Sequence, residues 1–286
     1  DRVRAKYAAP PYPTVASIAL AVNELEQTSA DVILAVGGGS VLDTAKAIAA
    51  LRHPGLSKDW LGAHLREGAA IPSPFCPPAI IAVPTTAGTG SEVTMWGTIW
   101  DEDTGRKYSV SHPDLLPKEA LLDPELTVTV PDDITVASGL DALSHAMEAI
   151  WNQNSNPMSD VLASYAISQI ALNLRQVLRT PRDVRVREVL LNASTAAGLA
   201  FSNTRTALAH SISYPLTGRL RMPHGIACSF TLPEIMKLND REGGERIALI
   251  VRALGCKTSP EAVEAVQRLF DDVGAPRYFA RYLRSE

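Results

Sequence analysis

Six histidines stand in the chain: His53, His64, His112, His145, His210 and His224. Asp141 and His145 are four apart on a segment with helical spacing, so both side chains face one side. His210 lies on a later helical segment, and His224 follows fourteen residues on, within Pro223-His224-Gly225. One carboxylate and three imidazoles suit Fe²⁺ or Zn²⁺ and leave room for a substrate oxygen. Taken singly, each of these residues reads first as a hydrogen-bonded surface or capping group, and spacing alone does not decide for a metal site. His53, His64 and His112 fall in expected loops beside prolines or glycines and read as surface residues. Cys76, Cys228 and Cys256 form no CxxC pair and read as small buried hydrophobes.

Two further segments have the composition of ligand loops. Gly37-Gly38-Gly39-Ser40 lies between a strand pattern and a helix pattern. Glycine lets backbone amides approach a phosphate, and a helix N-terminus adds positive partial charge. The run is neither GxGxxG nor a Walker loop, and a tight strand–helix turn is the alternative reading. Pro84-Thr85-Thr86-Ala87-Gly88-Thr89-Gly90-Ser91-Glu92 also follows a strand pattern. Its hydroxyls and glycines suit phosphate or ribose, and equally a solvated turn. Two such loops at the ends of two strands favour ligand binding, because open α/β sheets bind ligands at that edge.

These residues need positioning elements. Ala30 to Val36 is too short for a helix and rich in β-branched residues, so it reads as a buried strand. Val41 to Leu51 then reads as a helix with Ser40 as N-cap, and Val15 to Leu25 as a helix before the strand. Ala79 to Val83 is a second strand, Ala120 to Leu122 a third. Thr98–Trp100 and Lys107–Val110 form a hairpin around Asp103-Thr104-Gly105. Strand–helix alternation predicts a parallel sheet. From Pro131 onward the pattern is helical: Ile134 to Trp151, Met158 to Leu178, Val184 to Ala200, Ala227 to Leu238, Glu245 to Leu254 and Pro260 to Val273, with Asn156-Pro157 as punctuation. The expected division is an α/β domain over 1–128 and an all-helical domain over 129–286.

The bulk properties exclude several classes. The 286 residues carry 27 Lys+Arg against 31 Asp+Glu, a net charge of −4 that argues against nucleic acid as partner. No apolar run is long enough to span a membrane. The odd cysteine count and the polar start, Asp1 to Lys6, lead to an expectation of a cytoplasmic protein.

Taken together, GGGSVLDTAK (37–46), PTTAGTGSE (84–92), GLDALSHAMEA (139–149) and the His210…His224 pair ending in PHG resemble the iron-containing (group III) alcohol dehydrogenases. The resemblance implies a Rossmann-like, dinucleotide-binding α/β domain followed by an all-α metal-binding domain, an architecture shared with dehydroquinate synthases, with the active site in the cleft between. It implies Asp141, His145, His210 and His224 as metal ligands, for Fe²⁺ or alternatively Zn²⁺. It implies Gly38, Gly39 and Ser40 as the pyrophosphate loop of NAD or NADP, with Asp43 beside it. Thr85, Thr86 and Thr89 match the second cofactor loop, Lys107 a lysine that reaches the cofactor, and Leu126 a residue lining its site. Where many members carry another His four residues after the third ligand, this chain has Tyr214, a weak acid that becomes the candidate proton donor.

The implied reaction is hydride transfer between NAD(P)H and an aldehyde/alcohol pair, with a homo-oligomer, dimer or larger, as the expected assembly. Thr98 to Pro117, Glu148 to Pro157 and Gly198 to Arg219 are similar to dehydrogenases associated with phosphonate metabolism, which implies reduction of phosphonoacetaldehyde to 2-hydroxyethylphosphonate. Asn203, Arg205 and Arg219 are then substrate candidates, since a phosphonate needs basic or hydroxyl partners. The alternatives are a dehydroquinate synthase-like or glycerol-phosphate dehydrogenase-like enzyme, or a non-catalytic metal-binding fragment. Against the family pattern the chain is expected to be truncated at both ends, lacking a strand–helix–strand unit before Ala8 and helices after Glu286.

Overall fold

A computed structural model describes residues 3–25, 27–52, 56, 58–101, 106–241 and 244–283. The chain divides into two compact units, one of residues 1–85 and 91–122, the other of 86–90 and 123–286.

In the first unit, β1 (Val32–Gly37) pairs in parallel with β2 (Ala79–Pro84), from Val32 opposite Ala79 to Gly37 opposite Pro84. On its other side, β2 pairs in parallel with the short β5 (Glu119–Ala120), giving the order β1-β2-β5. Parallel neighbours need a long crossover. Here it contains α2 (Gly39–Leu51) and α3 (Lys58–Glu67). Successive strand side chains alternate between faces. Ala35 therefore packs with Leu42, Ala45 and Ala82, while Val32, Leu34 and Val36 are exposed, so β1 is buried on one face only and not the buried strand that its apolar run predicts. The larger core joins Ile18 of α1 (Val15–Glu24), Ala47 and Leu51 of α2, Leu61 of α3 and Ile80 of β2. It also takes Ile99 and Val110 from an antiparallel hairpin, β3 (Trp96–Asp101) with β4 (Arg106–Ser111). The expected hairpin tip Asp103-Thr104-Gly105 lies outside the described residues, as does His53.

Several expectations need correction. The helix after β1 starts at Gly39, capped by Gly38 rather than Ser40. Ser40 Oγ instead accepts a hydrogen bond from the Tyr12 N–H at 3.1 Å. His64 is not in a loop. It lies on α3, half-buried, stacked on Trp60 at 4.6 Å, with Nδ1 2.6 Å from the Ala69 carbonyl. His112 is also half-buried and caps a 3₁₀ turn at Pro113–Leu115, its Nδ1 accepting from the Asp114 N–H. Of the cysteines, only Cys228 is buried. Cys76 is exposed and Cys256 intermediate.

Among its described residues the second unit contains helices, turns and loops and no strand. The long members are α4 (Asp132–Trp151), α5 (Pro157–Arg179) and α6 (Val184–Thr204). After them come α7 (Leu208–Leu220), α8 (His224–Ser229), α9 (Leu232–Arg241), α10 (Ile247–Ala253), α11 (Ser259–Asp272) and α12 (Ala275–Leu283). The α5 start is fixed by Asn156, whose Oδ1 accepts from the N–H groups of Met158 and Ser159, while Ser159 Oγ accepts from the Asn156 N–H. The single helix expected over 227–238 is two. Pro233 has no N–H to continue the ladder and its ring crowds the preceding turn, so α8 ends at Ser229 and α9 starts at Leu232. No described helix is long and apolar enough to cross a membrane.

Candidate metal centre and nucleotide loops

Every residue of α4 from Gly139 to Ile150 is buried. Asp141, His145 and Glu148 share one face of this helix, since they follow spacings of four and three. His210 comes from α7 and His224 opens α8. The α8 backbone reaches α4 only because residue 225 is glycine. A Cβ at Gly225 would lie 1.9 Å from the Ala137 carbonyl oxygen and 2.8 Å from Asp141 Cβ.

Of the four sequence-predicted metal ligands, Asp141, His210 and His224 share one tight donor group, and His145 stands beside it. Asp141 Oδ1 lies 3.6 Å from His210 Nε2 and 3.9 Å from His145 Nε2. The His145 ring stacks on Phe201 at 4.1 Å and on His210 at 4.6 Å, and the His210 and His224 rings meet edge-on at 5.4 Å. Cys228 joins them. One ligand atom from each of Asp141, His210, His224 and Cys228 lies within 4.8 Å of all the others.

Burial pushes the Asp141 carboxyl up, but the charges of His145, His210 and His224 outweigh it and hold the group well below the ordinary carboxylate range. Burial favours neutral His210, yet the Cys228 sulfur, Asp141 and Glu148 together draw its value well above that of free imidazole. Glu148 is likewise pushed up by burial and pulled lower on balance by His210. Its Oε2 lies 2.5 Å from His210 Nδ1, and its Oε1 accepts from the N–H groups of Ala209, at 2.6 Å, and His210, at 3.3 Å. Glu148 thus fixes the ring so that Nε2 faces Asp141.

The donor set fits a divalent cation. Asp141 Oδ1 and His210 Nε2 are buried with no hydrogen-bond partner, a costly arrangement unless something else satisfies them. Tetrahedral coordination with bonds of about 2.0–2.3 Å places neighbouring ligand atoms roughly 3.3–3.8 Å apart. The 3.6 Å between Asp141 and His210 falls in that range.

Gly38, Gly39 and Ser40 form the N-terminal start of α2 directly after β1. Thr85 follows β2 beside them, its N–H donating to the Gly37 carbonyl at 3.0 Å. These residues line one carboxyl edge of the parallel sheet, with α2 amides oriented for an anion. Asp43 is engaged elsewhere. It accepts from Ser91 Oγ at 2.6 Å and lies 4.0 Å from Lys46 Nζ, with the Lys107 charge nearby. Lys46 is wholly buried and donates to the Ser91 and Trp96 carbonyls and to the Ser91 and Thr94 hydroxyls, at 2.7–3.1 Å. This network clasps α2 to the loop and hairpin, a role the sequence did not suggest. Thr86, Thr89 and Leu126 belong to the second unit. There Gly90, at φ +60°, packs within 2.5 Å of Gly198 Cα, measured from where its Cβ would be.

Residues 4–124 match the family described as iron-containing alcohol dehydrogenase, and residues 135–283 match the C-terminal part of the Fe-containing alcohol dehydrogenase family. The chain belongs to the iron-containing alcohol dehydrogenase family. It is 39% identical over 264 residues to the probable alcohol dehydrogenase EutG of Escherichia coli, covering 92% of this chain and 65% of that protein. It is 32% identical over 268 residues to the sulfoacetaldehyde reductase of Bilophila wadsworthia, covering 91% and 67%. The crystal structure of sulfoacetaldehyde reductase from Bifidobacterium kashiwanohense with NAD⁺ superposes with a TM-score of 0.86 at 32% identity, covering 93% of this chain and 69% of that one. The chain therefore spans about two thirds of the length of these relatives.

In this member of the family, the remaining predicted residues lie as follows. Tyr214 is exposed on α7, one turn after His210. Asn203 is exposed on α6, its amide donating to the Leu199 carbonyl at 2.8 Å. Arg205 ends α6 at φ 74°, exposed, and Arg219 is exposed in the last turn of α7. Glu148 and Cys228 were missed. Spacing from Asp141 and His145 could have signalled the first, and spacing of four from His224 the second.

Proposed function

We propose that this chain provides the nucleotide- and metal-binding machinery of a metal-dependent NAD(P)H oxidoreductase that interconverts an aldehyde and a primary alcohol. The observation that carries the reading is the pair of bare, buried donor atoms on Asp141 and His210 within the donor cluster. The family membership and the phosphate-type loop at the start of α2 support it. Asp141, His145, His210 and His224 would hold the ion. When bound, the ion supplies a Lewis acid for the carbonyl oxygen and the nicotinamide supplies the hydride.

This chain's residues do the rest. Asp141 brings negative charge into a buried site. Glu148 takes the Nδ1 proton of His210 in a hydrogen bond and leaves Nε2 free to donate its lone pair. Phe201 restrains the plane of His145. Gly38, Gly39 and Ser40 present α2 amides to a pyrophosphate. Tyr214 is the proton donor to the alkoxide, and its exposure lets solvent restore the proton.

The substrate class is a two-carbon aldehyde carrying a tetrahedral anion, with phosphonoacetaldehyde as the specific reading and Arg205, Arg219 and Asn203 as its partners. The likeness to two sulfoacetaldehyde reductases supports this, because sulfonate and phosphonate are both tetrahedral, anionic oxyacid groups. The test is NADH oxidation by the Fe²⁺- or Zn²⁺-loaded protein with phosphonoacetaldehyde, sulfoacetaldehyde and a neutral aldehyde of similar size. Fast turnover of the anionic aldehydes supports the full reading. Equal rates retain the dehydrogenase and remove the anion. Cofactor turnover without net NADH consumption would instead indicate a synthase.

A further inference from the structure

The four family ligands do not account for Cys228. It is the one buried cysteine of the three. A buried thiol ordinarily behaves as a small hydrophobe among apolar neighbours. Cys228 instead stands one helical turn after His224, with Sγ 3.6 Å from His224 Nε2 and 3.7 Å from Nδ1. It belongs to the tight donor group with Asp141, His210 and His224, all within 4.8 Å. The unpartnered, buried Oδ1 of Asp141 and Nε2 of His210 face that same group. Its 3.6 Å spacing from His224 is that of two ligands sharing one ion.

We propose that Cys228 Sγ is an inner-sphere ligand of the divalent ion, together with Asp141, His210 and His224. His145, with Nε2 3.9 Å from Asp141 Oδ1, makes the fifth donor. This rests on the metal reading above and extends it. On coordination the thiol S–H bond breaks, the sulfur–metal bond forms, and the proton leaves to solvent. A thiolate makes the site softer than an oxygen–imidazole set, which moves its preference towards Zn²⁺ and Co²⁺ relative to Fe²⁺.

The test loads one equivalent of Co²⁺ under anaerobic conditions and records the absorption spectrum. Thiolate coordination gives an intense near-ultraviolet sulfur-to-cobalt charge-transfer band, separate from the weaker visible d–d bands. The unmodified chain and a Cys76→Ser/Cys256→Ser double variant should both display it. Cys228→Ser and Cys228→Ala should lose it while keeping d–d bands from the remaining ligands. Bound cobalt without the charge-transfer band in the double variant, whose only thiol is Cys228, overturns this assignment and leaves the metal reading standing. Failure of the chain to take up cobalt overturns both. Should the Cys228 variants fail to fold, the double variant alone decides.

Discussion

Gly225→Ala tests the geometry of the metal centre most directly. An added Cβ would sit 1.9 Å from the Ala137 carbonyl oxygen and 2.8 Å from Asp141 Cβ. Real Cβ contacts essentially never fall below 3.0 Å, so the shortfall at Ala137 is 1.1 Å, and the obstructing atom is backbone rather than a flexible side-chain tip. The α8 helix must therefore withdraw from α4 by about 1 Å, carrying His224 and Cys228 away from Asp141. Metal–ligand bonds tolerate roughly 0.2 Å. The variant should lose at least tenfold in Zn²⁺ affinity, about 1.4 kcal/mol. Overpacking of a close-packed helix contact adds a further ~1–3 kcal/mol of destabilisation without metal. The assays are zinc titration against a chromogenic chelator and thermal melting of the metal-free protein. A variant that binds zinc as tightly as the parent, and melts within a degree of it, would refute the described approach of the two helices.

Three further substitutions probe other links. Glu148→Gln keeps the size of a buried side chain that orients His210 but removes its charge. Metal affinity should fall by roughly 10–100-fold with the circular dichroism spectrum unchanged, and unaltered affinity would deny Glu148 its orienting role. Lys46→Met addresses pH. Burial pushes the Lys46 ammonium down from 10.5 to about 8, only partly offset by Asp43 and Glu92. As pH rises the folded chain gives up this proton first, so from about 8 to 10.5 the unfolded chain holds more protons and the contribution of Lys46 to stability increases. The full span is worth on the order of 3 kcal/mol. Urea unfolding should therefore reveal a parent-minus-variant stability gap that widens between pH 8 and 10, and a constant or shrinking gap contradicts the assignment. Asn156→Ala removes the acceptor for two α5 amides and should cost about 1 kcal/mol in the same unfolding assay. No change would mean that Pro157 alone fixes this helix start.

The elements that matter most for the site were legible where periodicity was long. Ile134 to Trp151 and Met158 to Leu178 are strongly patterned, and α4 and α5 start and end within two residues of them. Strands β1 and β2 were legible from short apolar runs before glycine-rich loops, whereas β5 lacks that cue and lies at Glu119–Ala120 rather than over Ala120–Leu122. The candidate donors Asp141, His145, His210 and His224 were picked out only by the family resemblance, because spacing alone leaves each of them readable as a surface or capping group. Glu148 was not, because a carboxylate on a helix reads as solvent-facing unless the helix is known to be buried on every side. Cys228 was hidden for the same reason, since thiols are at home in any core. The α8–α9 break was readable in principle from Pro233, but apolar spacing across it masked the interruption. Short α3 has few apolar positions to mark it.

The burial of α4 also has an evolutionary consequence. From Gly139 to Ile150 no residue faces solvent, and three of those twelve, Asp141, His145 and Glu148, serve the donor cluster. Leu140, Leu143, Met147 and Ile150, all at 0% exposure, fill the other faces. A substitution anywhere along this stretch perturbs folding and chemistry together, so selection cannot adjust one while sparing the other. In a saturation scan, 139–150 should be the least tolerant run of the chain. By contrast Asn203, Arg205 and Arg219, at the exposed ends of α6 and α7, should accept substitution without loss of the core.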